Sequence, residues 1–191
     1  MFEDVEEKVK MNNQLFFSHS SESLQELIKL MKAQKHRTIV MWAFDCAKET
    51  LKQFEEKYPH EKRPRNCLEL CEDWSKGKIK MPIAKKAILD SHAVAKEIED
   101  KEYGALCHAI GHAGATVHVE THGIGLPIYE LTSIVLKFGK ENYQEHIKEK
   151  IKYYYDRLMF WNENIDKINY NWVGFLLKDN LKHNDKTKAS E

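Results

Sequence analysis

The chain has 191 residues, which is enough for one domain with a full hydrophobic core. Thirty basic and thirty acidic residues give a formal net charge of zero, so the composition does not indicate a broad nucleic-acid-binding surface. No apolar run approaches the ~20 residues of a membrane-spanning helix, and the acidic start lacks the features of a signal peptide. We therefore expect a cytoplasmic protein with no nucleic-acid partner and no membrane partner.

Apolar residues recur at helical spacing through most of the chain, with proline and glycine at the boundaries. The spacing predicts helices over about 23–31, 36–58, 64–77, 82–100, 104–122, 127–138 and 142–177. No segment shows sustained strand alternation or a hairpin signal. The predicted fold is all-α, a single-domain multi-helix bundle. Residues 1–19 form an N-terminal arm or short helix, 20–177 the helical domain, and 178–191 a polar, disordered tail.

The stretch from Gly104 to Tyr129 is unusually rich in glycine and alanine. Such residues weaken an exposed helix, since each glycine costs about 1 kcal/mol relative to alanine. They suit a central helix whose neighbours approach closely, because packing then outweighs intrinsic propensity. The bundle is therefore predicted to form around a small-residue-rich helix over about 104–122.

Histidines lie along one stripe of this predicted central helix. His118 and His122 are four residues apart, so their imidazoles would reach one ion or one ligand. The zinc-protease helix has a glutamate directly after its first histidine, whereas this chain has Val119. His92 or Asp45 on a neighbouring helix is a candidate third ligand. The favoured alternative is a set of histidines hydrogen-bonded within a packed helical core.

A further pair, His108 and His112, has the same spacing, but His112 is displaced toward the edge of the stripe. We give this pair a smaller part in any shared ligand site. The cysteines lie within helical patterns rather than turns, and we interpret them as reduced thiols that pack in the core. Cys67 and Cys71 have no second pair to complete a metal site.

Asp45 lies within an apolar helical run, where an ionised carboxylate is costly unless it is paired or hydrogen-bonded. We expect a structural salt bridge, with Arg63 or Arg65 as the partner. The alternative is that Asp45 orients a histidine or lines a pocket. Arg63 and Arg65 flank Pro64 at a helix start, where they cap the turn or clamp an acidic partner.

Several short motifs follow one another through the middle of the chain. They are Trp42-Ala43 with Asp45-Cys46-Ala47, Arg63-Pro64-Arg65, Trp74 with Gly77, His92-Ala93, and His118 with His122, Gly125 and Tyr129. In order and spacing they resemble the immunity-protein-five-like family of bacterial immunity proteins. The resemblance covers about residues 36–131.

The resemblance implies an all-helical domain that protects its producer by binding and blocking a cognate toxin. It supplies no catalytic residues. The matched polar residues form either a binding site or a buried network that fixes helix register. They are Asp45, Arg63, Arg65, His92, His118, His122 and Tyr129.

Two hypotheses about function follow. The first is a non-enzymatic immunity protein with no cofactor, whose partner is a cognate toxin. The alternative is a metal- or small-ligand-binding helical protein, with hydrolase activity as one form of it. In that case a divalent metal such as zinc would bind His92, His118 and His122. A homodimer is a further alternative for the partner.

Overall fold

The structure, a computed structural model, describes residues 2–139 and 141–181. Eight α-helices and three 3-10 helices make up most of this part, and no strand occurs in it. The α-helices are α1 (Glu3–Lys10), α2 (Gln25–Lys32), α3 (His36–Lys57), α4 (Arg63–Ser75), α5 (Met81–Glu97), α6 (Lys101–Ala115), α7 (Gly125–Phe138) and α8 (Gln144–Asn164). The 3-10 helices are Glu22–Leu24, Glu120–Ile124 and Gly174–Leu181. The all-α prediction is confirmed.

The helices pack around one main hydrophobic core to which every α-helix contributes. Trp42 of α3 lies at its centre, fully buried, and its indole N–H donates to the Tyr154 carbonyl of α8 at 3.0 Å. The predicted N-terminal arm is a short helix that docks through Val5 and Val9. Phe2 meets Tyr143 edge-on, with ring centroids 6.0 Å apart. No helix in the described part is long and apolar enough to cross a membrane.

The central helix is α6, which packs against α3, α4, α5 and α7. Its small residues permit this, because a Cβ at Gly111 would lie 2.6 Å from the His92 ring of α5. A Cβ at Gly114 would lie 2.8 Å from the Cys71 sulfur of α4. Neighbouring side chains occupy the space that larger residues on α6 would fill. The small-residue stretch therefore serves close packing, as the sequence predicts.

The C-terminal end of α6 differs from the prediction, because the helix ends at Ala115 and not near residue 122. The Thr116 hydroxyl donates to the His112 carbonyl at 3.1 Å, and β-branched residues continue through Val117 and Val119. Such residues disfavour further helix. The chain turns and forms the 3-10 helix Glu120–Ile124 before α7 begins. His118 and His122 therefore do not share one α-helix, and that premise was wrong.

The last predicted helix, 142–177, is also interrupted. α8 ends at Asn164, whose side-chain amide donates to the Phe160 carbonyl at 2.7 Å. The following segment is rich in Asn and Asp, which compete with helical hydrogen bonds. It returns to α4, where the Val173 amide donates to the Ser75 carbonyl at 2.8 Å. Of the predicted tail 178–191, the first residues belong to Gly174–Leu181, and 182–191 lie outside the described residues.

Candidate functional site

Four histidines line one cleft of about 290 Å³, which we call the histidine cleft. His92 comes from α5 and His112 from α6, while His118 and His122 come from the turn and 3-10 helix that follow α6. The reversal of the chain after Ala115 brings the last two histidines back toward the first two. The structure thus places the three predicted metal ligands on one cleft, through a different geometry from the one expected.

Most of the remaining lining of the histidine cleft is apolar. Its lining residues from α4, α5 and α6 are Trp74, Met81, Ile88, Leu89 and Ala115. The ring of His118 stacks on Trp74, with ring centroids 6.3 Å apart and planes at 29°. Lys85 of α5 also lines the cleft. No Asp or Glu of the described residues lines it.

Glycines make room for two of the imidazoles. The His92 ring lies against Gly111, and the His112 ring lies against the backbone of Gly125, where a Cβ would overlap it. Tyr129 of α7 packs on His112, with ring centroids 5.1 Å apart and planes at 23°. These contacts hold the two rings between α5, α6 and α7.

A hydrogen bond joins His92 to His108, with 2.8 Å between the two Nδ1 atoms. In a neutral pair one ring donates and the other accepts, so the two rings have complementary tautomers. His108 lines a second cleft of about 460 Å³, together with Tyr129 and the segment Asn12–Phe16. The bond therefore connects two clefts, one on each side of the histidine pair.

Burial keeps these histidines neutral near pH 7. Desolvation is the largest cause, and it lowers the pKa of His92 to about 4 and that of His112 to about 4. The neighbouring imidazoles act in the same direction and contribute to these lowered pKa values. Burial also lowers the pKa of His108 and of His122. A neutral imidazole offers one N–H donor and one acceptor nitrogen to a ligand.

The expectation of a hydrogen-bonded core network describes only part of this cluster. His92 and His108 are half-buried and bonded to each other. By contrast, His118 and His122 are exposed. Within the described chain, neither their side chains nor that of His112 makes a hydrogen bond. Their ring nitrogens remain open to a ligand.

A metal-binding arrangement is not formed as the side chains stand. In residues 2–139 and 141–181, no group of three or more His, Cys, Asp or Glu side chains is arranged to hold a metal ion. The Nδ1 atom of His92 is occupied by His108. A zinc ion shared by His92, His118 and His122 would require these rings to rotate.

Asp45 does not belong to the histidine cleft. Its carboxylate accepts from Arg157 Nε at 2.6 Å and from Trp161 Nε1 at 2.9 Å, both on α8. The predicted salt bridge exists, but the expected partner was wrong, because α8 and not the start of α4 lies beside this face of α3. Asp45 also lines a groove between α3, α7 and α8.

Arg63 and Arg65 are engaged within the chain. Arg63 bridges Glu61 and Glu97, with its Nη2 atom 2.6 Å from a carboxylate oxygen of each. Arg65 donates through Nε to Glu55 at 2.6 Å. These pairs connect the start of α4 to the end of α5 and to α3. Their guanidinium groups are therefore paired with carboxylates of this chain.

The structure places His112 in the middle of the histidine cluster, whereas the sequence analysis assigned it a smaller part in a shared site. It lies toward the edge of the stripe on a straight helix, yet it is central in the structure because the chain folds back after Ala115. Its ring lies 5.4 Å from His92 and 6.2 Å from His122, between ring centroids. The spacing of His108 and His112 was the available signal. No signal in the sequence indicated that Trp74 and Lys85 line the cleft.

Together, the fold and the cleft define an all-α protein with a histidine-lined cavity beside its central helix. Residues 29–157 match the model of a family described as "Imm-5 like putative immunity protein". The match covers more than half of the chain, so the chain belongs to this family. It confirms the resemblance seen in the sequence and extends it into α8. Comparisons with curated proteins and with solved structures found no significant match.

Proposed function

We propose that this protein neutralises a cognate toxin by binding it, in the cytoplasm of the bacterium that makes both. The family match over residues 29–157 carries the proposal, since an immunity role is what the family's description names. The helices share one hydrophobic core, which supports binding through a preformed surface.

Two features of the chain support a role without chemistry of its own. Burial raises the pKa of the Cys107 thiol to about 12 and raises that of Cys46 as well, so neither is an activated nucleophile. Asp45, Arg63 and Arg65 are engaged in ion pairs within the chain. A protein that inhibits a toxin by covering its surface does not need a reactive thiol or an unpaired charged side chain of this kind.

The test is a titration of a candidate toxin, chosen from the proteins encoded beside this protein's gene. We expect toxin activity to fall in proportion to added protein and to stop falling at a fixed molar ratio. The two proteins should elute together, and the intact mass of the toxin should not change. Inactivation by substoichiometric protein, or a change in toxin mass, would indicate an enzyme. Light scattering of the protein alone tests the homodimer alternative.

A second candidate function is the binding of a small ligand or of a divalent metal such as zinc. The observation that favours it is the presence of four imidazoles on one cleft, three of them without a hydrogen-bond partner in the described chain. The hydrolase form of this function would also use Asp45, but Asp45 lies in a different groove. Metal analysis of protein purified without a histidine tag tests the zinc version. A stoichiometric content would support it, and a trace content would exclude it.

A further inference from the structure

The histidine cleft has the size and lining of a site for a small organic molecule. Its volume of about 290 Å³ is near the lower end of the range for ligand pockets. Such pockets combine apolar walls with a few polar groups that fix the orientation of the ligand. Here Trp74, Ile88 and Leu89 supply apolar surface, and the imidazoles supply the polar groups.

Three of these imidazoles have no hydrogen-bond partner among the residues that the structure describes. The side chains of His112, His118 and His122 make no hydrogen bond within the described chain. His118 and His122 are exposed residues, and no ring nitrogen of His112 is among the buried atoms without a partner, so solvent or a ligand reaches all three side chains. Polar groups lining a cavity are normally satisfied by protein, by water or by a ligand. The cleft therefore presents several unused donors and acceptors.

The charge at the cleft favours an anion. Lys85 is the charged residue of its lining, and its amine makes no ion pair within the described chain. The next residue, Lys86, pairs with Asp90 at 2.6 Å and lines a separate pocket. With no Asp or Glu among the described lining residues, the lining itself carries a net positive charge. A metal cation would meet Lys85 and an apolar wall, neither of which suits it.

We propose that the histidine cleft binds a small organic acid, with an aromatic or branched apolar body on the Trp74 wall and its carboxylate toward Lys85 and the imidazoles. This inference deepens the second candidate function and does not depend on toxin binding. If the protein binds no toxin, the proposal of a cleft ligand is unaffected. If it binds a toxin but no organic acid binds in the cleft, only the proposal of a cleft ligand is contradicted.

Phenylacetate is a suitable test ligand because it carries one carboxylate on a phenyl ring. We would titrate it into tag-free, full-length protein and follow the histidine and tryptophan ring signals by NMR. Saturable shifts should concentrate on Trp74, His112, His118 and His122. Phenylacetamide has the same shape without the charge, and we expect it to bind about fivefold more weakly, the ratio for one exposed charge contact. Equal binding of the two compounds would overturn the proposal.

Neighbouring lysines provide a matched pair of variants. Lys85→Gln should weaken phenylacetate binding about threefold to fivefold, whereas Lys86→Gln, on the face away from the cleft, should leave it unchanged. Leu89→Glu places a negative charge at an exposed position of the cleft and should abolish saturable binding. An equal loss in both lysine variants would contradict the proposal. So would saturation of the histidine signals by zinc chloride together with no response to phenylacetate.

Discussion

At Gly125 the backbone of α7 lies directly against the ring of His112. A Cβ there would meet the root of that side chain, since the Cβ atom of His112 would be 2.8 Å away. The base of a side chain cannot swing aside as its tip can. Although alanine favours helix over glycine, we expect Gly125→Ala to lower the free energy of unfolding by about 1–3 kcal/mol through overpacking. Urea denaturation would measure this change.

Two comparisons isolate the contact between Gly125 and His112. Gly174→Ala is the control, because a Cβ at Gly174 would have nothing within 4 Å. In the double variant Gly125→Ala/His112→Gly, the added methyl group should cost much less than it does in the parent, because both the ring and the Cβ atom of residue 112 are gone. An equal cost in both backgrounds would show that the strain lies elsewhere.

The sequence could identify which histidines belong together but not how they meet. His92, His118 and His122 do line one cleft, and their residue types and motif context were visible beforehand. The turn after Ala115, which makes His112 central, depends on tertiary packing that helical periodicity does not encode. The partner of Asp45 is Arg157, which is 112 positions away in the chain. Spacing alone does not reveal such a long-range pair.

At the level of elements, α7 and α8 are joined by a buried charged group. Glu130 of α7 is almost fully buried, forms an ion pair with Lys150 at 2.7 Å and accepts a hydrogen bond from the Tyr154 hydroxyl at 2.5 Å. We expect Glu130→Gln to cost about 3 kcal/mol in unfolding free energy, because it leaves the Lys150 charge unpaired in a largely buried position.

The matched control for Glu130 is Glu149 of α8, which is 79% exposed and, among the described residues, forms a single ion pair, the 4.0 Å contact with His146. Glu149→Gln should change the stability by less than about 0.5 kcal/mol. Thermal unfolding of both variants gives the comparison. An equally small loss of stability in both variants would mean that the Lys150 ammonium group becomes hydrated when Glu130 no longer carries a charge.

The helices themselves were largely predictable, since α3 and α7 begin and end close to where periodicity, proline and glycine place them. The two wrong boundaries have a common cause. After Ala115 and after Asn164, β-branched or Asn-rich sequence weakens the helix, and packing against other elements then decides the path. The periodicity of apolar residues shows which face of a helix is buried. It does not show at which residue the helix ends when local propensity and packing compete.

At the level of the whole molecule, the buried histidines make stability depend on pH. The pKa of His92 and of His112 is about 4 in the folded protein, against about 6.5 for an unperturbed imidazole. Between these values the unfolded chain binds more protons than the folded one, so acid favours unfolding. The contribution of these two histidines to the free energy of unfolding is fully present above pH 6.5 and is lost as the pH falls toward 4.

We therefore expect the free energy of unfolding to fall by roughly 3 kcal/mol between pH 7 and pH 4 from these two groups, with partial solvent exposure discounted. Urea titrations across this range would measure the slope. In the variant His92→Gln/His112→Gln the slope should be much shallower, because neither side chain takes up a proton. His60→Gln, at an exposed turn outside the cluster, is the control and should keep the parent's slope. A double variant as acid-sensitive as the parent would assign the effect to other groups of the chain.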